Sequence, residues 1–281
     1  MRQKHQINDK IVKGLLWVSA FSTVIILVLI LGYIIVRGIG HINWEFLTQS
    51  PRRMGAEGGI FPVIVGTLYF VFLTMLIATP IAVGAAIYLN EYTRDNPFTR
   101  VIRFTTELLA GVPSIIFGLF GYAFFVLLLN DITGGWSLIS GALTATCMIL
   151  PTMIRTSEEA LKAVPRFYRE GSLALGATKW QTVYKVVLPT AMPGILTGII
   201  LGIGRAFGET AALLLTLGGS LLMPLSIMDG SRTLSMHLYM VAMETGNMDA
   251  AFGTGVVLLA VIFIINFTAN FAIKKLVVRN R

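Results

Sequence analysis

"PGILTGIILGIGRAFGETAALLLTL", residues 193–217, holds only two charged side chains, Arg205 and Glu209. A helix of that length reaches roughly 37 Å at 1.5 Å per residue, enough to cross about 30 Å of hydrocarbon. So long an apolar run reads as a membrane-spanning helix. Gly194, Gly198 and Gly202 recur every four residues. On one continuous helix these glycines, Arg205 and Glu209 fall within about 80° of one another. Small residues at that spacing let two helices approach closely. The shared face therefore points at protein and keeps both charges out of lipid, where each would cost about 2.5–3.5 kcal/mol.

The rest of the chain follows the same pattern. Its 281 residues are 55% hydrophobic and 13% charged, against about 25% charged in soluble domains. Apolar runs at roughly 15–36, 64–89, 108–129, 137–154, 193–217 and 254–273 predict six spans. The fold class is all-α, a polytopic membrane protein with six transmembrane helices. Lys10 and Lys13 precede the first run as they would in a signal peptide. Its apolar core of about 22 residues and the lack of a clear A-x-A site argue for a retained span.

Lysine and arginine divide by loop. Four lie in 1–14, three in 90–107, six in 155–192 and four in 274–281, against three in 37–63, one in 218–253 and none in 130–136. This bias places both termini in the cytoplasm. Acidic residues split almost evenly, seven inside and six outside. The net charge of +8 is thus an orientation signal, and nucleic-acid binding is not needed to explain it. The single cysteine, Cys147, excludes an intrachain disulfide, and His5, His41 and His237 lack metal-ligand spacing.

Residues 155–192 form the longest cytoplasmic segment. Pro165 suits the first turn of a short helix, and Gly176 the residue just past its end. Thr178 and Gln181 form a capping box for a second helix, with Trp180, Val183, Tyr184, Val187 and Leu188 as its apolar stripe. Pro189 is expected to stop that helix and Pro193 to open the next span. Glu170, Gly176, Leu188 and Pro189 stand at E-x(5)-G-x(11)-L-P. This resembles the EAA signature of ATP-binding-cassette (ABC) importer permeases. Gly171 and Ser172 replace its two alanines, and Val186 its isoleucine. The resemblance implies a type I importer-like permease whose loop docks on a separate ATPase, so that ATP-driven movement reorients the spans. The chain has no G-x-x-x-x-G-K-[ST] phosphate loop, so ATP and magnesium belong to the partner, and no cofactor is expected here.

A second resemblance concerns substrate. "GRAFGETAALLLTLGGSLLMP" (204–224) resembles the R-A-x-G-E-T-A signature of the A-type permeases of phosphate importers, the PstA family. Residues 58–92 and 231–255 are similar to the same family. The resemblance divides the chain into 1–57 (tail, first span and outer loop), a permease domain at 58–273 containing the coupling loop 155–192, and a basic tail at 274–281. It implies a heterodimer with a related permease, two ATPases and an external phosphate-binding protein in a prokaryotic inner membrane. Arg205, Glu209 and Thr210 would line the substrate path, and Glu170, Gly171, Ser172, Gly176, Leu188 and Pro189 would couple to the ATPase. Arginine stays charged and presents a planar fork of donors that suits an oxyanion. Glu209 can tether Arg205 or accept a hydrogen bond from a protonated oxyanion, which favours hydrogen phosphate over sulfate. Sulfate or molybdate is the alternative cargo. An ion-coupled secondary transporter would leave 170–189 unexplained, and no nucleophile–base or metal constellation suggests an enzyme. Arg155, at the end of the fourth span, reads as an interfacial anchor.

Overall fold

The computed structural model describes residues 2–93 and 96–279, with side chains described for 12–93 and 96–271. The side chains of the basic tail at 274–281 lie outside the described residues. Nearly every element is helical: α1 (Arg2–Gly38), the short α2 (Trp44–Thr48), α3 (Phe61–Ile87, carried on by a wide π-helical turn Tyr88–Tyr92), α4 (Pro97–Ala110), α5 (Ser114–Gly121, extended by Tyr122–Leu128), α6 (Asn130–Thr133) and α7 (Leu138–Lys162). Then come α8 (Arg166–Ala174), α9 (Lys179–Thr182), the π-helical turn Val183–Val187, α10 (Leu188–Gly208), α11 (Ala211–Thr216), α12 (Leu234–Met240) and α13 (Met248–Arg279). A two-residue β-hairpin, β1 (Pro51–Arg52) with β2 (Glu57–Gly58), is antiparallel.

Among the described residues five helices are long and apolar enough to cross a membrane: Val12–His41, Phe61–Tyr92, Leu138–Lys162, Lys179–Gly208 and Met248–Phe271. A sixth apolar segment, Ser114–Leu128, is bent by 102° from α4. The expected third span at 108–129 therefore starts late. Gly111 to Pro113 interrupts the helix, and α4 takes a course of its own with Thr99 buried and Phe98, Val101 and Phe104 exposed.

The fourth and fifth spans also differ from expectation. α7 continues eight residues beyond 154, through Arg155 to Lys162. The second coupling helix is not separate, because the chain stays helical from Lys179 to Gly208. Pro189 does not stop it. In the widened turn, Leu188 N–H donates five residues back to Val183 O, and such widening makes room for a ring that would otherwise clash with the preceding turn.

The main core joins α3, α5, α7, α10 and α11 through Phe70, Ala78, Phe117, Ala145, Met148, Met153, Phe207 and Leu213. Glycines set the separation between α7 and α10. A Cβ on Gly194 would lie 2.6 Å from Ala160 Cβ, and one on Gly198 would lie 2.3 Å from Thr156 Oγ1. A Cβ on Gly202 would meet Met153 Sδ at 3.1 Å. The glycine stripe thus faces α7, as small residues at a close helix crossing do. α1 stands apart, its apolar side chains exposed along most of its length, and meets α13 where Gly38 packs on the Phe252 backbone.

Candidate functional site

Two places gather the chemistry, one at each end of the Lys179–Gly208 helix. A helix of 30 residues separates them by roughly 45 Å.

At the far end the helix breaks. Glu209 leaves the helical conformation at φ −73° and ψ 129°, so Arg205 and Glu209 do not share a helix face. Among the described residues no ion pair joins them. Arg205 lies in the last turn of α10, where its charge faces the negative end of the helix dipole. Its Nη1 donates to Thr152 Oγ1 of α7 at 3.1 Å. Glu209 is 7% exposed, and its Oε1 accepts from Ala212 N at 3.0 Å, satisfying an N–H that the first turn of α11 leaves open. Ser235 Oγ donates to the Glu209 carbonyl at 2.7 Å. Thr210 precedes α11 at φ −127° and ψ −54° without a side-chain cap bond. The two charges serve two different helix ends, and a tether between them is not what the geometry shows.

Thr152 connects Arg205 to a cavity of about 460 Å³ between α4 and α7. Its walls carry Arg103, Arg155 and Lys162 with Glu107, Glu158 and Glu159. Arg155 is not a lone interfacial anchor, since it reaches Glu107 at 3.0 Å and Glu159 at 3.3 Å. Glu158, 6% exposed, receives Arg103 at 2.7 Å and Lys162 at 2.8 Å. Of these pairs, Arg103–Glu158 and Arg155–Glu107 hold α4 against α7.

At the near end, Pro165 caps α8 and Gly176 turns the chain at φ +85° with nothing within 4 Å of an added Cβ. The Thr178–Gln181 capping box is present. Ser172 Oγ and Thr182 Oγ1 meet at 2.9 Å, tying the two arms of the turn. Gly171 also has open space around it. The apolar stripe divides: Val183 and Val187 are buried, whereas Trp180 and Tyr184 stack on each other at 6.1 Å and stay exposed. Phe167 and Tyr168, stacked on each other, and Leu175 are exposed in the same segment. Glu170 is exposed, Leu188 is half-buried and Pro189 exposed.

The sequence reading missed Arg169, which holds the hairpin down. Its guanidinium reaches Glu91 from Nη2 at 2.7 Å and from Nε at 3.1 and 3.2 Å. Thr152 was missed as well. No local spacing could reveal either contact, because the partners lie 78 and 53 positions apart.

Beyond the break, Arg232 is 4% exposed and His237 fully buried. Arg232 donates to Gly219 O at 3.0 Å, and burial lowers its pKa. Burial, with Arg232 nearby, lowers the His237 pKa to about 3. Among the described residues neither His237 ring nitrogen has a hydrogen-bond partner.

The family described as "Binding-protein-dependent transport system inner membrane component" matches residues 78–281. The "Probable ABC transporter permease protein YqgI" of Bacillus subtilis (strain 168) is 37% identical over 282 residues, covering 94% of this chain and 95% of that protein. The "Phosphate transport system permease protein PstA" of Haemophilus influenzae is 32% identical over 209 residues, covering 74% of this chain and 73% of that protein. In fold, the chain is similar to a bacterial alginate ABC transporter solved with its alginate-bound periplasmic protein, with a TM-score of 0.68 at 17% identity over 94% of this chain and 95% of that one. It is also similar to the MetNI methionine ABC transporter, with a TM-score of 0.60 at 21% identity over 75% of this chain and 93% of that one.

Proposed function

The chain belongs to the binding-protein-dependent inner membrane transport components, and from that premise we propose that its cargo is inorganic phosphate. It is a multi-pass ABC importer permease subunit, a membrane component and not an enzyme. The observation that carries the phosphate reading is Arg205, a half-buried guanidinium at the broken end of a span, hydrogen-bonded to Thr152. Among the described residues no carboxylate pairs with it. Such a fork suits a tetrahedral oxyanion. Glu209 and Thr210 lie beside it at the same break and supply an acceptor and a hydroxyl. The PstA relatives support the same cargo.

On this reading a second, related permease completes the path. Two ATPases seat on the 155–192 segment, with Glu170, Gly171, Ser172, Gly176, Leu188 and Pro189 shaping the seat, and an external binding protein delivers phosphate. Both termini lie in the cytoplasm. ATP and magnesium stay with the ATPases, and the apolar faces of α1 and α5 meet lipid or the partner permease.

Uptake of radiolabelled phosphate by the reconstituted complex tests this. Arg205→Gln is expected to lower uptake at least about tenfold, the loss of one strong charge-assisted contact, while the complex still assembles. Full uptake by the variant removes Arg205 from the path. Equal competition from sulfate or molybdate moves the assignment to another oxyanion.

A further inference from the structure

α8 has no buried residue, so apolar packing does not hold it to the membrane domain. Two polar ties do. One is the Ser172–Thr182 contact within the hairpin. The other is Arg169, which ties α8 to two other helices at once. It engages both carboxylate oxygens of Glu91, in the turn that ends the α3 span. Its Nη1 donates to Val164 O at 2.8 Å, just past α7, and its Nη2 to Leu161 O at 2.9 Å, in the last turn of α7. The Glu91 side chain is 8% exposed and that of Arg169 20%. Asn90 Nδ2 gives Glu91 a further hydrogen bond at 2.8 Å.

We propose that Arg169 is the positioning residue through which movement of the coupling hairpin reaches α3 and α7, with Glu91 as its anchor. This rests on reading 155–192 as the ATPase seat. The geometry supplies a continuous line of force. A push on α8 acts through the guanidinium on Leu161 and Val164, hence on α7. α7 carries Thr152, which holds Arg205, and packs on α10 along the glycine stripe. The same guanidinium acts through Glu91 on α3. A planar fork that meets a carboxylate and two carbonyls resists both sliding and rotation, which a lysine point charge cannot do. Glu170, the acidic residue of the signature, remains exposed and is free to face the ATPase.

The complete complex, with ATPases, partner permease and binding protein in vesicles, reads phosphate imported per ATP hydrolysed. Arg169→Gln and Glu91→Gln are each expected to keep the ATPases bound while that ratio falls about tenfold, the weight of a charge-assisted contact. The double variant is expected to be no worse than either single one, and Arg169→Lys to recover only part of the ratio. A ratio unchanged in both single variants overturns the latch while wild-type coupling stands. Loss of ATPase binding in both variants also overturns it, by making the pair a docking element. A wild-type complex that fails to bind ATPases at all defeats the coupling reading and the latch with it. A wild type that couples ATP to another oxyanion changes the cargo alone, since the ratio is then read with that anion.

Discussion

Arg205 and Glu209 show how one conformational break changes the meaning of a pair. On an unbroken helix they would sit one turn apart and neutralise each other. In the structure Gly208 ends α10, and the Glu209 carboxylate accepts from Ala212 N instead. Glu209→Ala is therefore expected to destabilise the complex by about 1 kcal/mol, as loss of a helix cap does. Glu209→Gln keeps the acceptor oxygen and is expected to retain most of that stability. Thermal unfolding of the two variants decides between a cap and a mere charge. A weak signal for the break was present in the sequence: a glycine, Gly208, followed by the polar pair Glu209 and Thr210 ahead of an apolar run, the order seen where one helix ends and another begins. The uninterrupted hydropathy of 193–217 outweighed it. His237 carries a second consequence at this scale. Its pKa falls from 6.5 unfolded to about 3 folded, because burial and Arg232 disfavour the imidazolium, with Glu244 acting on Arg232 from the same segment. Below the unfolded pKa the unfolded state binds more protons, so stability is full above about 6.5 and is lost as pH falls toward 3. The protection factor of the α12 amides, their exchange rate normalised to the intrinsic rate at each pH, is expected to fall across that window in the wild type. His237→Leu is expected to flatten the dependence.

Among the elements, the coupling hairpin was the most legible, because its signals are local. Pro165, Gly176 and the Thr178–Gln181 box act within a few residues of themselves, and each stands where its chemistry requires. What failed was the assumption that proline ends a helix, since the π-helical turn ahead of Pro189 absorbs the ring. The partition of Trp180 and Tyr184 from Val183 and Val187 was also hidden, because it is set by distant partners: Val187 packs with Ala86 of α3 and Leu161 of α7. Gly176 yields the prediction at this scale. Open space surrounds it, so the cost of a side chain is backbone strain alone at φ +85°. Gly176→Val is expected to cost about 1–2 kcal/mol in this left-handed conformation, and Gly176→Asn distinctly less. The measurement is ATPase retained on copurification and phosphate moved per ATP. Equal behaviour of the two variants means that the turn is not held at positive φ when the ATPase binds.

For the whole molecule, six apolar runs were expected as spans; among the described residues five helices are long and apolar enough to cross, and the bent α4–α5 pair stands where the sixth was expected, so tertiary packing set where the segments begin and end. The fourth span runs on to Lys162, and Glu158 in that extension receives Lys162 from the next turn and Arg103 from α4. The first pair is an i,i+4 spacing on the helix, but the Arg103 contact across to α4 leaves no trace in local spacing. Sidedness is expected from charge: the segment 155–192 carries six Lys and Arg, and 218–253, beyond the α10 break, one. Leu175, 90% exposed in the hairpin turn, and Leu225, 87% exposed beyond α11, lie on opposite sides of the 30-residue helix. Each is replaced by cysteine in a Cys147→Ala background, which removes the one native thiol. A membrane-impermeant maleimide applied to intact cells is expected to label Leu225→Cys at once. Leu175→Cys is expected to react only after the membrane is opened. The reverse pattern would invert the orientation and set the ATPase seat on the side without ATP. Labelling of both in intact cells would mean that the Lys179–Gly208 helix does not cross. The charge bias and the exposed aromatic surface of the hairpin would then need a different partner, because an ABC importer takes its energy from one side only.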